Sequence, residues 1–375
     1  MKKQIKKIYL LFIMFILVFS LVGCKVNSSN TPSKIESLNG EVVELKIGDN
    51  TSRVNSIEEA VEIAYPSVVV INATSTTSTS SGSGVVIGHS ENYTFIVTCC
   101  HVVEGYKNYE VITSTGTLFD ASLVGGDPMT DLAVIAIEKT DLPEVTLIED
   151  SSTLKIGSDA IAIGNPLGTL GGTVTTGIIS ATSRNIKMSD GSVHTLIQTD
   201  AAINSGNSGG GLFNNQGQLI GIVSAKYSAT GVEGLGFAIP SNTVRTIVTD
   251  LIKNGYVSGV TNLGVTFSDY YYRTGGFFGS TVKVVCVSYV DPNGSANNLL
   301  KKEDILVEID VHYQDSTKQE VTLKNFSNAD EVNEFLNSLD LKIGDKLTFK
   351  VKRGSYNASV TEVTVTLVQY VYKES

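Results

Sequence analysis

The feature that most limits how this chain can fold is a series of short apolar runs between residues 68 and 239. Clusters of Gly, Ser, Asn and Asp separate the runs, and no long amphipathic segment interrupts them before Thr243–Lys253. Because parallel strands need long crossover connections, the pattern predicts antiparallel sheets, and two sets of about six runs predict two β-barrels in tandem. The first set is Val68–Ile71, Val85–Ile87, Phe95–Thr98, Tyr109–Ile112, Ala121–Val124 and Leu132–Ile137. The second set is Ala160–Ile163, Thr173–Ile179, Leu196–Thr199, Leu219–Ser224 and Gly236–Ile239.

Length and charge narrow the class of protein. The chain has 375 residues, which suggests two or three domains. Hydrophobic residues make up 42% and charged residues 18%, which is a globular composition. The 28 basic and 38 acidic residues give a net charge of −10, whereas a generic binder of nucleic acids or anionic membranes carries excess positive charge. We therefore expect no nucleic-acid partner, and four cysteines are too few for a disulfide scaffold at this length.

The N-terminal residues predict a targeting segment. Positive charges in Lys2–Lys7 precede an apolar run, Ile8–Val22, that is short for a membrane-spanning helix, which needs about 20 residues. The run ends in Leu21-Val22-Gly23-Cys24, which resembles the bacterial lipobox and implies a signal peptide over residues 1–23 and a lipid anchor on Cys24. The alternative is an uncleaved anchor with an incidental Cys. Either interpretation places the remainder on the extracytoplasmic face of a cell membrane, with residues 24–52 as a lipidated N-terminus and flexible tether.

A glycine-rich stretch, Asn204-Ser205-Gly206-Asn207-Ser208-Gly209-Gly210, carries the strongest chemical signal. Its glycines let the backbone turn sharply around the Ser208 hydroxyl and aim the N–H groups of Gly206 and Ser208 at one point. A serine nucleophile needs such donors to hold the oxyanion of a tetrahedral intermediate. The stretch predicts a nucleophile at Ser208 with an oxyanion hole formed by Gly206 and Ser208. The alternative is an ordinary glycine-rich turn.

A serine hydroxyl is a poor nucleophile without a general base, and the chain contains four histidines. His101 follows the apolar run Phe95–Thr98, so we expect it at a strand end, where a side chain can project into a cleft. The other three lie in polar loops or in the distal region and are expected to be structural: His89, His194 and His312.

A carboxylate is needed to select the tautomer of the imidazole. Asp131 stands at the start of the apolar run Leu132–Ile137 and is the favoured candidate. Asp127 lies in a Gly-Asp-Pro turn and is expected to stabilise that turn. Asp200 is a rival because it is near Ser208 in sequence, although both belong to the same strand-to-loop segment.

Five motifs in one order resemble the HtrA family of trypsin-like serine proteases over nearly all of residues 56–255. The resemblance implies a mainly β fold, a trypsin-like double six-stranded antiparallel β-barrel, in a protease domain over residues 53–256. It implies His101 as base, Asp131 as its orienting acid and Ser208 as nucleophile, and it implies a homotrimer, the common assembly of such proteases. The motifs are Thr98-Cys99-Cys100-His101-Val102, Asp131-Leu132-Ala133-Val134, Gly164-Asn165-Pro166-Leu167-Gly168, Thr199 through Gly210, and Gly236-Phe237-Ala238-Ile239-Pro240.

The sequence departs from the family pattern near the expected site. Cys99 and Cys100 occupy the stretch where the family usually has Asn before the catalytic His, and Ser205 replaces a Pro that would fix φ in the oxyanion loop. The segment Ala73–Gly84 is short, which favours a simpler assembly than the large cages of some members. Asn207 lacks the charge with which secreted digestive relatives bind a newly cut N-terminus. Ordering of the active-site loops by a partner or peptide is the expected substitute.

The adjacent cysteines do not predict a shared metal ion. Neighbouring strand residues point to opposite faces, and the chain has no Cys-x-x-Cys pair. Cys99, Cys100 and Cys286 are expected to be small buried residues, with a long-range disulfide of Cys286 left open. Neither a metal nor a cofactor is expected.

Residues 259–373 predict a smaller α/β domain that resembles a PDZ domain. The resemblance rests on Leu263-Gly264-Val265 at its start and on Gly344-Asp345 and Lys352-Arg353-Gly354 near its end, with Tyr270–Gly279 as an insertion. It implies capture of peptide C-termini by strand addition, with the carboxylate held by a loop. That loop would be Asn262, Leu263, Gly264 and Val265; the alternative is a capping domain without a ligand.

The periodicity inside this domain predicts one helix and several strands. Ser327–Leu339 has an apolar stripe and predicts a helix with Ser327 as its N-cap. The strand-like runs are Val282–Val287, Ile305–Ile309, Leu347–Val351 and Val360–Val368.

Together these features predict a membrane-tethered serine endopeptidase that cleaves unfolded or damaged extracytoplasmic proteins through an acyl-enzyme. The alternatives are a regulatory protease that cuts one signalling partner, and a peptide-binding or chaperone module with little cleavage. Since no acid is apparent at the base of the expected specificity pocket, small or medium apolar side chains are the expected preference. The residues expected to border that pocket are Ile222, Val223, Ser224 and Ala225.

Overall fold

The structure is a computed structural model that describes residues 40–41, 43–48, 54, 56–138, 140–164, 172–187, 193–204, 206–227, 234–273 and 280–372. The predicted signal peptide, the lipidation of Cys24, the change at Ser205 and most of the Gly-Asn-Pro-Leu-Gly motif lie outside these residues. Within the described ranges, no helix has the length and apolar character needed to cross a bilayer.

The first barrel closes in the order β1-β2-β3-β6-β5-β4, and β4 returns to pair with β1. All its pairings are antiparallel, as predicted from the runs of short apolar segments. Apolar side chains fill its interior; Phe95, Ile96 and Ile135 are fully buried. The strands are β1 Val68–Thr74, β2 Thr79–His89, β3 Tyr93–Cys99, β4 Asn108–Ile112, β5 Leu118–Asp127 and β6 Leu132–Glu138.

The second barrel closes in the order β10-β11-β12-β9-β8-β7, with β7 paired to β10. The two closed six-stranded antiparallel barrels confirm the predicted fold class. One strand, β10, escaped the sequence analysis because it has only three residues and directly follows the glycine-rich stretch. The strands are β7 Asp159–Gly164, β8 Thr173–Lys187, β9 Val193–Thr199, β10 Gly211–Phe213, β11 Leu219–Val223 and β12 Gly236–Pro240.

A third sheet follows the barrels, in the order β13-β14-β15-β17-β18, with β16 paired to β15. Residues 270–273 of the predicted insertion Tyr270–Gly279 are regular strand: they continue β13 and pair with Thr281–Val284 of β14. Residues 274–279 lie outside the described part. The strands are β13 Val265–Arg273, β14 Thr281–Val290, β15 Ile305–His312, β16 Val321–Leu323, β17 Lys346–Lys352 and β18 Val360–Thr366.

Among the described residues, four α-helices accompany the strands: α1 Ile57–Ala64, α2 Cys100–Val103, α3 Ser241–Asn254 and α4 Ala329–Ser338. The Ser56 side chain caps α1 by accepting from the backbone N–H of Glu59, as its capping-box spacing indicates. The predicted cap of α4 is off by one residue. Asn328 accepts from Glu331 N–H at 2.9 Å, while the backbone N–H of Ser327 donates to the Glu331 carboxylate at 2.8 Å.

Residues 43–48, which we name the N-terminal strap, lie against the first barrel. The N–H of Leu147 donates to the carbonyl of Lys46 at 2.8 Å, and the N–H of Gly48 donates to the carbonyl of Leu147 at 3.2 Å. Val43 packs over Gly88, where any β-carbon would overlap it. Residues 43–48 thus differ from the flexible tether expected over residues 24–52, because the half-buried side chains of Val43 and Leu45 pack on the barrel at Gly88.

Candidate active site

Three different loops bring the predicted catalytic side chains to the junction of the two barrels. His101 lies in the single turn α2, directly after β3, and Asp131 lies directly before β6. Since β3 and β6 are paired neighbours, with Cys99 opposite Leu132, the two residues come together at one end of the first barrel. Ser208 lies in the loop that precedes β10 of the second barrel.

Hydrogen bonds across the junction hold the Ser208 loop on the first barrel. The N–H of Ser83 donates to the carbonyl of Ser208 at 2.9 Å, and the Ser83 hydroxyl donates to the carbonyl of Gly206 at 2.6 Å. Gly209 has φ +83°, and a β-carbon there would overlap the carbonyl oxygen of Ser83 and the hydroxyl of Thr98. Only glycine therefore fits at position 209 while the barrels keep this contact.

His101 and Asp131 form a close pair. His101 Nδ1 lies 2.9 Å from each oxygen of the Asp131 carboxylate, and the backbone N–H of His101 donates to Asp131 Oδ1 at 3.1 Å. An ionised carboxylate only accepts hydrogen bonds, so Nδ1 carries the imidazole proton. Nε2 of the neutral ring is then left as a proton acceptor.

The Asp131 carboxylate is buried and yet held ionised. Burial by itself would raise its pKa, but the hydrogen bond and charge of His101, the charge of Lys226 and the hydrogen bond from Ser224 outweigh that effect and lower the pKa below its usual range. The Ser224 hydroxyl donates to Asp131 Oδ2 at 2.8 Å. Asp131 itself has φ +61°, a strained conformation that Asp tolerates better than most residues.

The Ser208 hydroxyl is turned toward the end of β11. Its oxygen accepts a hydrogen bond from the N–H of Ala225 at 3.1 Å, and among the described residues no hydrogen bond joins it to His101. Ala225 opens a 3₁₀ turn over Ala225–Tyr227. Catalytic hydrogen bonds often form only in the substrate complex, so this contact is compatible with a nucleophilic role for Ser208.

The backbone around Ser208 leaves two donors available. The loop turns through Gly206 at φ +95°, and the N–H of Asn207 donates to the carbonyl of Asn204 at 3.0 Å. Within the described residues, no acceptor takes the N–H groups of Gly206 or Ser208. These are the two donors predicted to form an oxyanion hole.

Asn207 is buried beneath the loop. Its amide nitrogen donates to the carbonyl of Ala202 at 3.4 Å, a long bond, and its Oδ1 has no partner among the described residues. The side chain lies against Gly164 at the end of β7. Its contacts are those of a neutral amide, as expected from the absence of a charge at this position.

The remaining histidines have structural partners. His89 contacts the Thr94 hydroxyl at 2.9 Å and the carbonyl of Leu142 at 3.0 Å. His194 packs on the Tyr227 ring, with centroids 5.1 Å apart, and His312 contacts Glu320 at 2.7 Å in the third sheet.

The other two candidate partners of the imidazole, Asp127 and Asp200, form hydrogen bonds away from His101. Asp127 accepts from the N–H groups of Met129 and Thr130 and from the Thr130 hydroxyl, so it stabilises its turn as predicted. Asp200 accepts from the N–H of Ile178 at 2.7 Å, which fastens the loop to β8.

The residues predicted to border a specificity pocket have different surroundings. Ile222 and Val223 are buried strand residues, and Ser224 is buried with its hydroxyl on Asp131. The Ser224 side chain therefore supports the Asp131 carboxylate, and its place at the border of a pocket stays a prediction. Ala225 lies beside the Ser208 hydroxyl.

The predicted carboxylate-binding loop of the third sheet is a tight turn. Gly264 has φ +70°, and its N–H donates to the Asn262 side chain at 2.8 Å, so this donor is already engaged. Beyond the loop, β13 pairs with β14 on one side and faces α4 on the other. Two side chains bridge that second side: Asp269 accepts from Ala329 N–H at 2.8 Å, and Asn333 donates to the Phe267 carbonyl at 3.4 Å.

Comparisons with known proteins show which proteins this chain resembles. A family model for the trypsin-like peptidase domain matches residues 82–222. The chain is 41% identical over 299 residues to the serine protease Do-like HtrB of Bacillus subtilis (strain 168), a match that covers 75% of this chain and 62% of that protein. It is 39% identical over 269 residues to a probable periplasmic serine endoprotease, DegP-like, of Rickettsia prowazekii (strain Madrid E), covering 67% of this chain and 51% of that one. The matches thus span about three fifths or less of these relatives' lengths.

A solved structure of an HtrA-type protease with a tripeptide aligns over 84% of this chain and 97% of its own, at 32% identity and a TM-score of 0.52. The chain belongs to the HtrA family of trypsin-like serine proteases. In this HtrA-family chain, three site residues have no signal in a local motif. They are Ser83 of β2, Ser224 just after β11 and Lys226 of the 3₁₀ turn, and only the closure of the barrels reveals their contacts with the site.

Proposed function

We propose that this chain is a serine endopeptidase in which His101 is the general base, Asp131 orients it and Ser208 is the nucleophile. The observation that carries the proposal is the buried Asp131 carboxylate, 2.9 Å from His101 Nδ1 and fixed from behind by Ser224, at the barrel junction that also holds Ser208. A carboxylate so placed keeps Nε2 unprotonated and stabilises the imidazolium that forms during proton transfer.

The proposed reaction begins when the Ser208 oxygen attacks a peptide carbonyl while its proton moves to His101 Nε2. The carbonyl oxygen becomes an oxyanion and accepts hydrogen bonds from the N–H groups of Gly206 and Ser208. His101 then gives the proton to the leaving amine, which leaves an acyl ester on Ser208. A water molecule, deprotonated by the same Nε2, hydrolyses the ester and returns both side chains to their initial state.

A conformational step has to precede this chemistry. The Ser208 hydroxyl accepts from Ala225 at rest, so it must rotate toward His101 before it can lose its proton. A peptide that draws Ala225–Tyr227 out of its 3₁₀ turn would release the hydroxyl. Substrate or partner binding is thus the proposed activator, in keeping with the neutral Asn207.

The proposed substrates are unfolded or damaged proteins outside the cytoplasm, with attachment to the cell membrane through a lipid on Cys24. The Rickettsia prowazekii relative is described as probably periplasmic, which supports an extracytoplasmic site of action. Ala225 and its neighbours are proposed to contact the side chain at the cleavage site. The third sheet is proposed to be a PDZ-like domain for peptide C-termini, and assembly as a homotrimer is proposed from family membership alone.

Labelling with a fluorophosphonate tests the nucleophile directly. We expect a covalent adduct on Ser208 that mass spectrometry of peptides locates. In Ser208→Ala we expect kcat on a denatured protein substrate to fall by about 10⁶-fold with an unchanged circular dichroism spectrum. An unlabelled Ser208 in folded protein, or a retained rate in Ser208→Ala, would reject the proposal. Peptide capture without cleavage, favoured by the Ala225 contact, would then be the remaining interpretation.

A further inference from the structure

We infer that Cys99, His101 and Asp131 form a binding site for a borderline transition-metal dication such as Zn²⁺, and that occupation of this site switches off the proposed general base. The regulatory consequence rests on the proposed function. The metal binding itself does not, since it depends only on the three side chains.

The geometry brings three different metal-ligating side chains together. One ligand atom from each lies within 4.8 Å of the other two. His101 Nδ1 is 2.9 Å from both Asp131 oxygens, and Cys99 Sγ, which donates to the Val223 carbonyl at 3.3 Å, lies beside the same carboxylate. Ligand atoms of a tetrahedral zinc ion lie about 3.3–3.8 Å apart, so a separation of 4.8 Å needs to shrink by about 1–1.5 Å.

The donor set suits zinc and its neighbours in the first transition row. A thiolate, an imidazole and a carboxylate are the three protein ligands that zinc uses. The thiolate and the carboxylate together neutralise a dication, so occupation buries no net charge. Cys99 and Asp131 are fully buried, whereas the His101 side chain is 32% exposed, so an ion enters past the imidazole.

The two adjacent cysteines differ in the direction in which their thiols face. Cys99 ends β3 and faces Asp131 and Val223, whereas Cys100 Sγ lies on the other side, 3.2 Å from the position that a β-carbon of Gly126 would occupy. Because the two thiols face different ways, Cys99 and Cys100 cannot share one ion. The structure instead assigns Cys99 alone to the site, with ligands that are distant in sequence.

Occupation follows a simple proton balance. In the free protein Cys99 Sγ donates a hydrogen bond to the Val223 carbonyl, so it carries a proton. Coordination releases this thiol proton to solvent, because a metal-bound thiol is deprotonated. The metal also takes the place of the Nδ1 proton of His101, which moves to Nε2. An Nε2 that carries a proton donates instead of accepting, so it cannot take the proton of Ser208.

The first experiment measures inhibition of the full chain by ZnCl₂ in a non-chelating buffer, with each rate expressed relative to that variant's own metal-free rate. We expect reversible inhibition of the wild type, relieved by a chelator. The half-maximal Zn²⁺ concentration should rise by at least about tenfold in Cys99→Ser and Cys99→Asn. Cys100→Ala is the matched control and should respond as the wild type does. Equal sensitivity of wild type and Cys99→Ser, or no inhibition of the wild type, would overturn the inference.

The second experiment does not need activity. Co²⁺ bound to a thiolate gives a sulfur-to-metal charge-transfer absorption in the near ultraviolet, which we expect in the wild type, in Cys100→Ala and in the inactive Ser208→Ala. We expect it to vanish in Cys99→Ser. Its absence from the wild type would refute the site even if the chain proves to be an active protease. Its presence in a chain without peptidase activity would support the site while the proposed function fails.

Discussion

At the scale of single residues, the candidate site depends on side chains that hold other side chains in place. Ser224 is such a positioning residue: it donates to Asp131 Oδ2 at 2.8 Å and is fully buried. Asp131 in turn orients the His101 ring. A change at Ser224 should therefore reach the reacting atoms without altering any group that touches substrate.

We expect Ser224→Ala to lower kcat/KM by about 10- to 100-fold, because a hydrogen bond to a charged group contributes about 1.5–3 kcal/mol. The loss should appear in kcat, with KM nearly unchanged. Ser241→Ala is the control, since the Ser241 hydroxyl is equally buried but has no partner among the described residues. Steady-state kinetics of both variants checks this. Equal losses in the two variants would point to a general packing effect.

Gly209 supplies a prediction about backbone shape. Gly209→Ala combines a positive φ with overlap against the Ser83 carbonyl and Thr98, so we expect a loss on the order of 3–5 kcal/mol in the free energy of unfolding. Gly157→Ala has a similar φ of +88° with open space around it, and should lose only about 1–2 kcal/mol. Urea unfolding of the two variants measures the difference. A Gly209→Ala protein as stable as Gly157→Ala would show that the barrels can shift apart at this contact.

Residue patterns predicted features that are decided by neighbouring residues. They missed contacts that form only when distant parts of the chain come together. The capping of α1 by Ser56 is decided over three residues, so the sequence reveals it. The choice between Ser327 and Asn328 as the cap of α4 depends on the path of the incoming chain, which no local pattern contains. Ser224 and Asp131 are 93 residues apart, so their contact exists only once both barrels have closed.

At the scale of elements, the segment Val145–Ile148 connects three parts of the structure. Its backbone bonds to Val86 of the first barrel, to the N-terminal strap through Lys46, and to β11 of the second barrel through Leu219. Leu147, only 1% exposed, lies at the centre of these contacts. The sequence showed no sign of this arrangement because each contact is a single bridge and not a full strand pairing.

We expect Leu147→Ala to lower the free energy of unfolding by about 2–5 kcal/mol, since it removes a buried side chain at a three-way contact. Ile156→Ala is the control, because Ile156 is 69% exposed and its loss should change stability by less than about 0.5 kcal/mol. Thermal and urea unfolding followed by circular dichroism provide the measurement. If the two variants unfold alike, the contacts of the N-terminal strap and of Val145–Ile148 contribute nothing to the stability of the barrels.

At the scale of the whole molecule, the chain after the last strand returns to the first barrel. Gln369 donates to the carbonyls of Val257 and Val260 in the segment that follows α3. Tyr372 then packs against Gly126, where a β-carbon would lie 3.1 Å from the ring and 3.2 Å from Cys100 Sγ. Cys100 precedes His101, so the segment that follows the third sheet packs one residue away from the proposed base.

A double-mutant cycle tests whether the contact between Tyr372 and Gly126 contributes to stability and activity. In Gly126→Ala the new methyl group presses on the Tyr372 ring, so we expect a loss of stability and of kcat. Tyr372→Ala removes the ring, and the methyl group then meets less resistance in the double variant. The two changes should therefore be non-additive, with a coupling free energy of about 0.5–3 kcal/mol.

Gly125→Ala is the matched control for that cycle, because its β-carbon would meet Gly255 and Leu251 instead of Tyr372. Combined with Tyr372→Ala it should be additive within about 0.5 kcal/mol. If Gly126→Ala is additive with Tyr372→Ala in both stability and kcat, the ring does not restrain this part of the barrel. The third sheet would then have no mechanical path to His101 through Cys100, and any control that it exerts on cleavage would have to pass through bound peptide alone.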